Sequence, residues 1–428
     1  MKESSATIFA EQSRNGSAAI AFILSQFPCV DETFILREMS ALAQAGFAFD
    51  IYSIKKSRDK IIQPQAEALL PRLFHRPFFF SREIWRAQCH FAKRHARRYF
   101  RTLLQICWEG RHRPKTLLKN LILFPQAVCY AHRMQCREIT LVHAFWATFP
   151  GTMAWIIHRL TGLRYSFSAH AHDIYEDDTM LVRKLKACDF VMTCTAYNRV
   201  HLSRLAPAKS EDIKLIYHGH HLTALQQDAR LKEAPNGVFR ILSIGTFYRT
   251  KGFDTLIEAC AVLQEKGLAF QCKIVGEGPE KKRLQNLIRE RRLQKHVFLL
   301  GYLPHEQLRP LRRWADAFIL LPRPYLHWGI PNVYIEALAS QVAVIATPLN
   351  AIRELIEPER TGLLVEADDP NAAAAALMHL HDNPELRRQL ALAGQQRAQQ
   401  LFDDTRTTKQ VIDLFTEKLL TPGVHQPQ

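Results

Sequence analysis

The sequence has 428 residues, 47% of them hydrophobic and 23% charged, with a formal net charge of +16. That length exceeds one compact core and suits two domains of roughly 100–200 residues each, and the balance excludes a broadly disordered chain. Nine scattered cysteines, odd in number and without C-x-x-C spacing, suggest neither a zinc site nor a disulfide framework and fit a reducing compartment.

Near the start, the apolar run 18–24 is short and follows a polar stretch with Glu11 and Arg14. It reads as a strand rather than a secretory signal. Further short apolar or β-branched runs follow at 49–54, 139–143, 165–169, 190–194 and 213–217. Helical patterns at 31–45, 152–161 and 198–205 separate them. Mostly apolar or β-branched strands that alternate with helices predict a parallel sheet covered on both faces.

Residues 69–137 fit no strand-and-helix alternation. Between positions 72 and 137 stand fifteen Lys or Arg against Glu83 and Glu109, so most of the net charge is local. In 85–101 the apolar residues Trp85, Cys89, Ala92, Ala96, Tyr99 and Phe100 recur at three- and four-residue steps beside Arg86, Lys93, Arg94, Arg97 and Arg98. This is the pattern of an interfacial helix, and Phe78, Phe79 and Phe80 precede it. The plainer reading is a solvated basic helix packed on the first domain. No nucleic-acid module is recognisable, which disfavours that partner. The apolar stretch 117–130 contains Lys119, Asn120 and Pro125 and falls short of the about 20 residues a spanning helix needs.

A polar run at 222–237 reads as a linker. A second series of strands follows at 240–245, 270–275, 297–300, 317–321 and 342–346, with helices at 253–266, 280–291 and 331–340. This predicts a second doubly wound domain. The tail from 369 to 420 reads as largely helical, and 421–428 as frayed.

Ligands of open parallel sheets bind beyond the carboxyl ends of the strands. There the second domain offers Gly245, Thr246, Arg249 and Lys251, a small residue followed by cations suited to an anion. Taken alone, the stretch is an ordinary basic loop. Further on, Gly329, Ile330, Pro331, Asn332 and Val333 open a helix, with Pro331 suited to its first turn. Free amides at such a start favour phosphate. Glu336 follows, flanked by Ile335, Ala337 and Leu338. In the first domain His170 ends a strand, with His172 and Asp173 beside it as rival polar groups. His143 is read as ending its own strand. A lone histidine in such a place is ordinarily a satisfied core residue.

Taken in order, these motifs resemble the large retaining glycosyltransferase family usually numbered four. They include Phe22 to Pro28 with Glu32 to Glu38, the His143 and His170–Asp173 segments, Gly245 to Gly252, Val275 to Pro279, Gly329 to Glu336 and Thr361 to Val365. The first half is most similar to members that build exopolysaccharides such as colanic acid. The resemblance implies an α/β chain of the GT-B fold, with two facing Rossmann-like domains and a C-terminal helix crossing back. Its expected boundaries are 1–221 with the basic insertion 69–137, a linker at 222–237, 238–402, the crossing helix at 403–420, and a tail. It also implies roles. Lys251 would hold the donor diphosphate and Glu336 its ribose. The backbone from Gly329 to Val333 would contact sugar and phosphates, and His170 would donate a hydrogen bond to the reacting sugar. Glu32 and Thr33 would line the acceptor side; Asp173 is a further candidate there and His143 a weaker one. No cofactor and no metal is expected, the nucleotide-sugar being a substrate.

Three positions depart from the family pattern. Trp328 stands where the first of two spaced acids is usual, the second being Glu336; Thr246 replaces an arginine; and His221 replaces an acid. They motivate a rival expectation, a catalytically degenerate binding or assembly protein of a polysaccharide-synthesis complex. The favoured expectation is an active transferase, cytoplasmic and peripheral on the inner membrane. It would act on a lipid-linked or polysaccharide acceptor.

Overall fold

The computed structural model describes residues 20–29, 32–59, 62–75, 77–226, 237–324 and 329–420. The chain divides into two compact units, Met1–His218 with Thr407–Gln428, and Gly219–Arg406.

The first unit is built on a seven-stranded sheet. Its strands are β1 (Ile20–Phe27), β2 (Phe49–Lys56), β3 (Leu73–Phe74), β4 (Leu141–Phe145), β5 (Arg164–Ala169), β6 (Val191–Thr193) and β7 (Ile213–Leu215). Their order is β3-β2-β1-β4-β5-β6-β7, every pairing parallel. β1 and β4 lie at the centre and are buried along most of their length, which explains their largely apolar sequence.

Three features differ from the sequence expectation. The segment 69–137 does contribute to the sheet, because Leu73 and Phe74 pair with Ile51 and Tyr52. The helical pattern of 85–101 is interrupted at His95, giving separate helices Arg82–Arg94 and Ala96–Gly110. Their inward face is Ile84, Ala87, Phe91 and Ile106; Trp85 and Phe100, assigned to the apolar stripe, are exposed. Finally, His143 lies inside β4 rather than at its end.

The 22-residue helix Pro114–Gln135 follows and is a core element. Leu123, Phe124, Ala127, Val128 and Met134 bury their side chains in the unit's larger core. Tyr130 donates to the Ser53 carbonyl at 2.8 Å and Gln126 to the same oxygen at 3.2 Å, which fastens the helix to β2. Arg133 and Arg137, two of the basic residues, are engaged by Glu83 and Asp50. Among the described residues no helix is long and apolar enough to cross a membrane.

The chain's last helix, Asp404–Leu420, buries Val411, Leu414 and Phe415 in the first unit's second core. Phe415 meets Phe22, His143 and Phe190 at ring distances of 5.9, 5.2 and 5.8 Å.

The second unit holds six parallel strands: β8 (Phe239–Ile244), β9 (Phe270–Val275), β10 (Val297–Leu299), β11 (Ala317–Ile319), β12 (Ala343–Ala346) and β13 (Leu363–Leu364). Their order is β10-β9-β8-β11-β12-β13. Of the run read as a linker, Thr223–Gln226 forms a helical turn and 227–236 lie outside the described residues.

Candidate active site

In the second unit, β8 and β11 are neighbours, so the loops leaving their carboxyl ends lie together. Gly252 has φ +70°, and a Cβ there would stand 1.9 Å from the Leu321 carbonyl oxygen. Only glycine lets the two loops approach so closely. The Arg323 amide donates to Thr250 O at 2.9 Å, and its guanidinium reaches the Arg249 carbonyl, Asp254 and Asp368. This arginine holds the β8 loop in place.

Lys251 sits on that loop, partly buried, with no acidic partner among the described residues. Burial alone pulls its ammonium below the usual lysine range. A desolvated cation without a counter-charge is a place where an anion binds well. Gly245 is at the strand end as expected and Arg249 is exposed, as is Thr246.

The helix Asn332–Ala339 begins one residue later than expected, with Pro331 as its N-cap. The amides of Asn332 and Val333 therefore have no partners within the helix. Gly329, Ile330 and Pro331 lead into it, half-buried. Trp328 and His327 lie outside the described residues.

Glu336, one turn further, is largely buried. Its Oε2 accepts from Arg312 Nη1 at 2.9 Å and its Oε1 lies 3.4 Å from His305 Nε2. Burial pushes its carboxyl up; the His305 hydrogen bond and the charges of Arg312, His305 and His220 outweigh this and leave it below the usual range. It is a fixed carboxylate. Arg312 is 1% exposed, and its Nε and Nη2 have no hydrogen-bond partner among the described residues. Burial lowers its pKa, with Glu336 opposing. Sequence reasoning missed Arg312 and His305. They lie seven residues apart on the helix His305–Trp314, in a sequence that gives no sign of facing Glu336.

In the first unit, His170 follows β5 and is buried. Its ring packs against Trp146, Phe34 and His218, with centroids 4.6, 5.1 and 4.9 Å away. Nδ1 has no hydrogen-bond partner among the described residues. Burial pulls its pKa down to about 4, so the imidazole is neutral at physiological pH and holds one N–H and one lone pair.

Asp173 organises the backbone here. Its carboxylate accepts from the amides of Ala147, His170 and Ala171 at 2.9, 3.0 and 2.8 Å, joining the exits of β4 and β5. It is a positioning residue, since these bonds occupy both oxygens of a 1% exposed side chain. Trp146 has φ 97°, a strained backbone for a bulky residue. It is held by its amide bond to Ser168 O at 3.1 Å and by its indole, which donates to Glu32 Oε1 at 2.8 Å. Glu32 thus touches the wall of the His170 cage, and Thr33 is exposed beside it. Phe34 lies within the Glu32 to Glu38 motif without having been singled out, and Trp146 and His218 were not among the expected site residues.

His143 is different. It is fully buried, with both ring nitrogens engaged by Ser166 Oγ at 2.8 Å and Ser168 Oγ at 3.1 Å. It belongs to the core and offers no face to an acceptor. On the outer helices Trp85, Arg86, Lys93, Arg94, Arg97 and Arg98 are all exposed.

Comparison with known proteins decides the class. Residues 226–397 match the family model described as "Glycosyl transferases group 1". The chain is a glycosyltransferase. Over 385 residues the enzyme is 26% identical to WcaL of Escherichia coli (strain K12), by name a putative colanic acid biosynthesis glycosyltransferase, spanning 84% of this chain and 89% of WcaL. The enzyme also superposes on sucrose-phosphate synthase from Thermosynechococcus elongatus, with TM-score 0.65, 20% identity and coverage of 94% and 99%. A third likeness is to Anabaena Alr3699/HepE in complex with UDP and glucose, with TM-score 0.61, 15% identity and coverage of 93% and 100%. The glycosyltransferase therefore has the GT-B fold class, built on two parallel α/β sheets.

Proposed function

We propose that this glycosyltransferase moves a sugar from a nucleotide-sugar to a lipid-linked or polysaccharide acceptor, with retention at the anomeric carbon, in bacterial surface polysaccharide synthesis. The observation that carries the reading is Lys251, desolvated and without an acidic partner among the described residues, on a loop locked beside the exit of β11. The name of WcaL supplies the polysaccharide setting. HepE, in its complex with UDP and glucose, supplies a nucleoside diphosphate and a sugar as the kind of ligand.

In this reading Lys251 and Arg249 neutralise the donor diphosphate as it departs. The amides of Asn332 and Val333 bind its oxygens. Glu336, kept ionised by Arg312 and His305, accepts from ribose hydroxyls. His170, neutral, donates to a hydroxyl of the reacting sugar. The bond from the anomeric carbon to the diphosphate breaks. The acceptor oxygen bonds to that carbon on the same face, and its proton passes to the leaving phosphate. The basic and aromatic surface of 72–137 holds the enzyme at the inner face of the membrane.

The test is calorimetry with a panel of nucleoside diphosphates. One of them should bind, and Lys251→Ala should weaken it about 10- to 100-fold, the scale of a charge-assisted hydrogen bond. A chain that binds none of them, or a variant that binds equally well, overturns the reading. Binding without sugar transfer to membrane extract would favour a degenerate assembly protein.

A further inference from the structure

A cavity of about 190 Å³ opens in the first unit away from His170's cage. It lies where β1 and β2 end and where the helix Phe149–Thr161 begins after β4. Its walls include Ile54, Ile122, Leu123 and Phe149, and Lys55 and Lys119 stand in its lining. Neither ammonium has an acidic partner among the described residues; Lys119 stands 5.5 Å from the Phe149 ring centroid.

Ser25 and Gln126 complete the lining, and apolar surface continues beside the cavity on the helix that supplies Ile122. Ile122 and Leu118, one turn apart on the helix Pro114–Gln135, are both more than half exposed, with Lys115 and Lys119 spaced likewise beside them. Leu117, next to Leu118, packs against Gly110 at the end of the preceding helix Ala96–Gly110. That helix exposes Phe100, Leu104 and Trp108 at four-residue steps.

The pairing of chemistries selects the ligand. An apolar wall alone suits any hydrocarbon, and lysines alone suit any anion. Two lysines without acidic partners among the described residues, on an apolar cavity that continues into exposed leucine and isoleucine, suit an anion attached to a hydrocarbon chain. A free nucleotide or free phosphate would leave the exposed Ile122 and the half-buried Phe149 uncovered. The site also lies at the carboxyl edge of the sheet, the same edge that His170 follows.

We infer that this cavity binds the phosphate end of a lipid-linked acceptor: a long-chain hydrocarbon phosphate or diphosphate, its first carbons against Ile122 and Phe149 and its phosphate on Lys55 and Lys119. The inference rests on the transferase reading above and narrows it to the lipid-linked class of acceptor.

The test uses the full chain in mild detergent and measures binding of farnesyl diphosphate against inorganic pyrophosphate and against phosphatidylglycerol. Farnesyl diphosphate should bind at least ~10-fold more tightly than pyrophosphate, as burial of a few methylene groups dictates. Lys119→Glu and Ile122→Asp should each weaken it ~10-fold, while Lys119→Arg keeps it. Both positions are exposed, and melting temperatures matching the parent's verify folding. Nucleoside diphosphate binding should stay unchanged in every variant. Equal affinity for pyrophosphate would make this a plain anion site and overturn the inference. Equal competition by phosphatidylglycerol, or variants that bind normally, would overturn it too. Loss of nucleoside diphosphate binding in the parent chain would strike the transferase reading, a result distinct from any of these.

Discussion

Glu336 and His143 show how far a residue's role depends on neighbours distant in sequence. Glu336 carries half of a buried ion pair, and its partner Arg312 already has two donors unmet among the described residues. Removing one member of such a pair strands the other's charge, which costs more than the pair itself contributes. Glu336→Gln should therefore destabilise the protein by about 3 kcal/mol, and adding Arg312→Met should restore most of it; urea unfolding of the single and double variants reads this. A single variant as stable as the parent would show that Arg312 finds other partners. For His143 the test is pH. Burial, then the charge of His170, pulls its pKa down to about 3 from an ordinary 6.5. The unfolded chain takes up the proton first, so stability from this group is complete above pH 6.5 and is lost as pH falls toward 3. Glu38 acts oppositely, since burial raises its carboxyl to about 8, with Arg37 opposing. Comparing the parent with His143→Asn cancels that term. Relative to the variant, the parent should lose about 2–3 kcal/mol between pH 7 and 4.5. Parallel melting curves across this range would mean that His143 titrates normally. A histidine seen only in sequence gives no hint that Ser166 and Ser168, on the adjacent strand, satisfy both of its nitrogens.

At the scale of elements, strands of three residues or more were legible and those of two were not. β1, β4 and β5 are buried along most of their length, which makes their sequences largely apolar, the internal polar residues His143, Ser166 and Ser168 satisfying one another. β3 and β13 have two residues each, too few to show any period. The break at His95 was invisible because residues compatible with a helix continue across it. The Gly245 to Gly252 loop was readable as a motif, but its reason was not: Gly252 is required by the Leu321 carbonyl, which belongs to another strand's exit. Gly252→Ala should therefore do two things although it touches no ligand. It should destabilise the protein by about 3 kcal/mol or more, combining an unfavourable left-handed backbone with a steric clash. It should also weaken nucleoside diphosphate binding by displacing Lys251. Gly267 provides the control, with φ +74° and nothing within 4 Å of an added Cβ. Gly267→Ala should cost only about 1–2 kcal/mol and leave affinity alone. Equal effects on affinity at both positions would mean that the loop's placement is irrelevant to the donor.

Across the whole molecule, the charge imbalance and the exposed aromatics coincide in one stretch of the first unit. Of the fifteen basic residues between 72 and 137, Arg133 and Arg137 are consumed by Glu83 and Asp50, whereas Arg86, Lys93, Arg94, Arg97 and Arg98 are exposed without acidic partners among the described residues. Phe78, Phe80, Trp85, Phe100 and Trp108 are more than half exposed in the same stretch, more apolar surface than a solvated helix needs. The two contributions respond differently to salt. Attraction of lysine or arginine to an anionic bilayer is worth about 1 kcal/mol each near the surface and fades within a Debye length. Insertion of aromatic side chains is insensitive to salt. Sedimentation with vesicles separates them. The enzyme should bind vesicles rich in phosphatidylglycerol and release zwitterionic ones. Arg97→Gln with Arg98→Gln should remove about 2 kcal/mol of binding at low salt and little at high salt. Phe80→Ser with Trp85→Ser should weaken binding by a similar factor at every salt concentration. If both pairs of substitutions leave sedimentation unchanged, this surface faces water, and the basic excess serves solubility rather than a membrane.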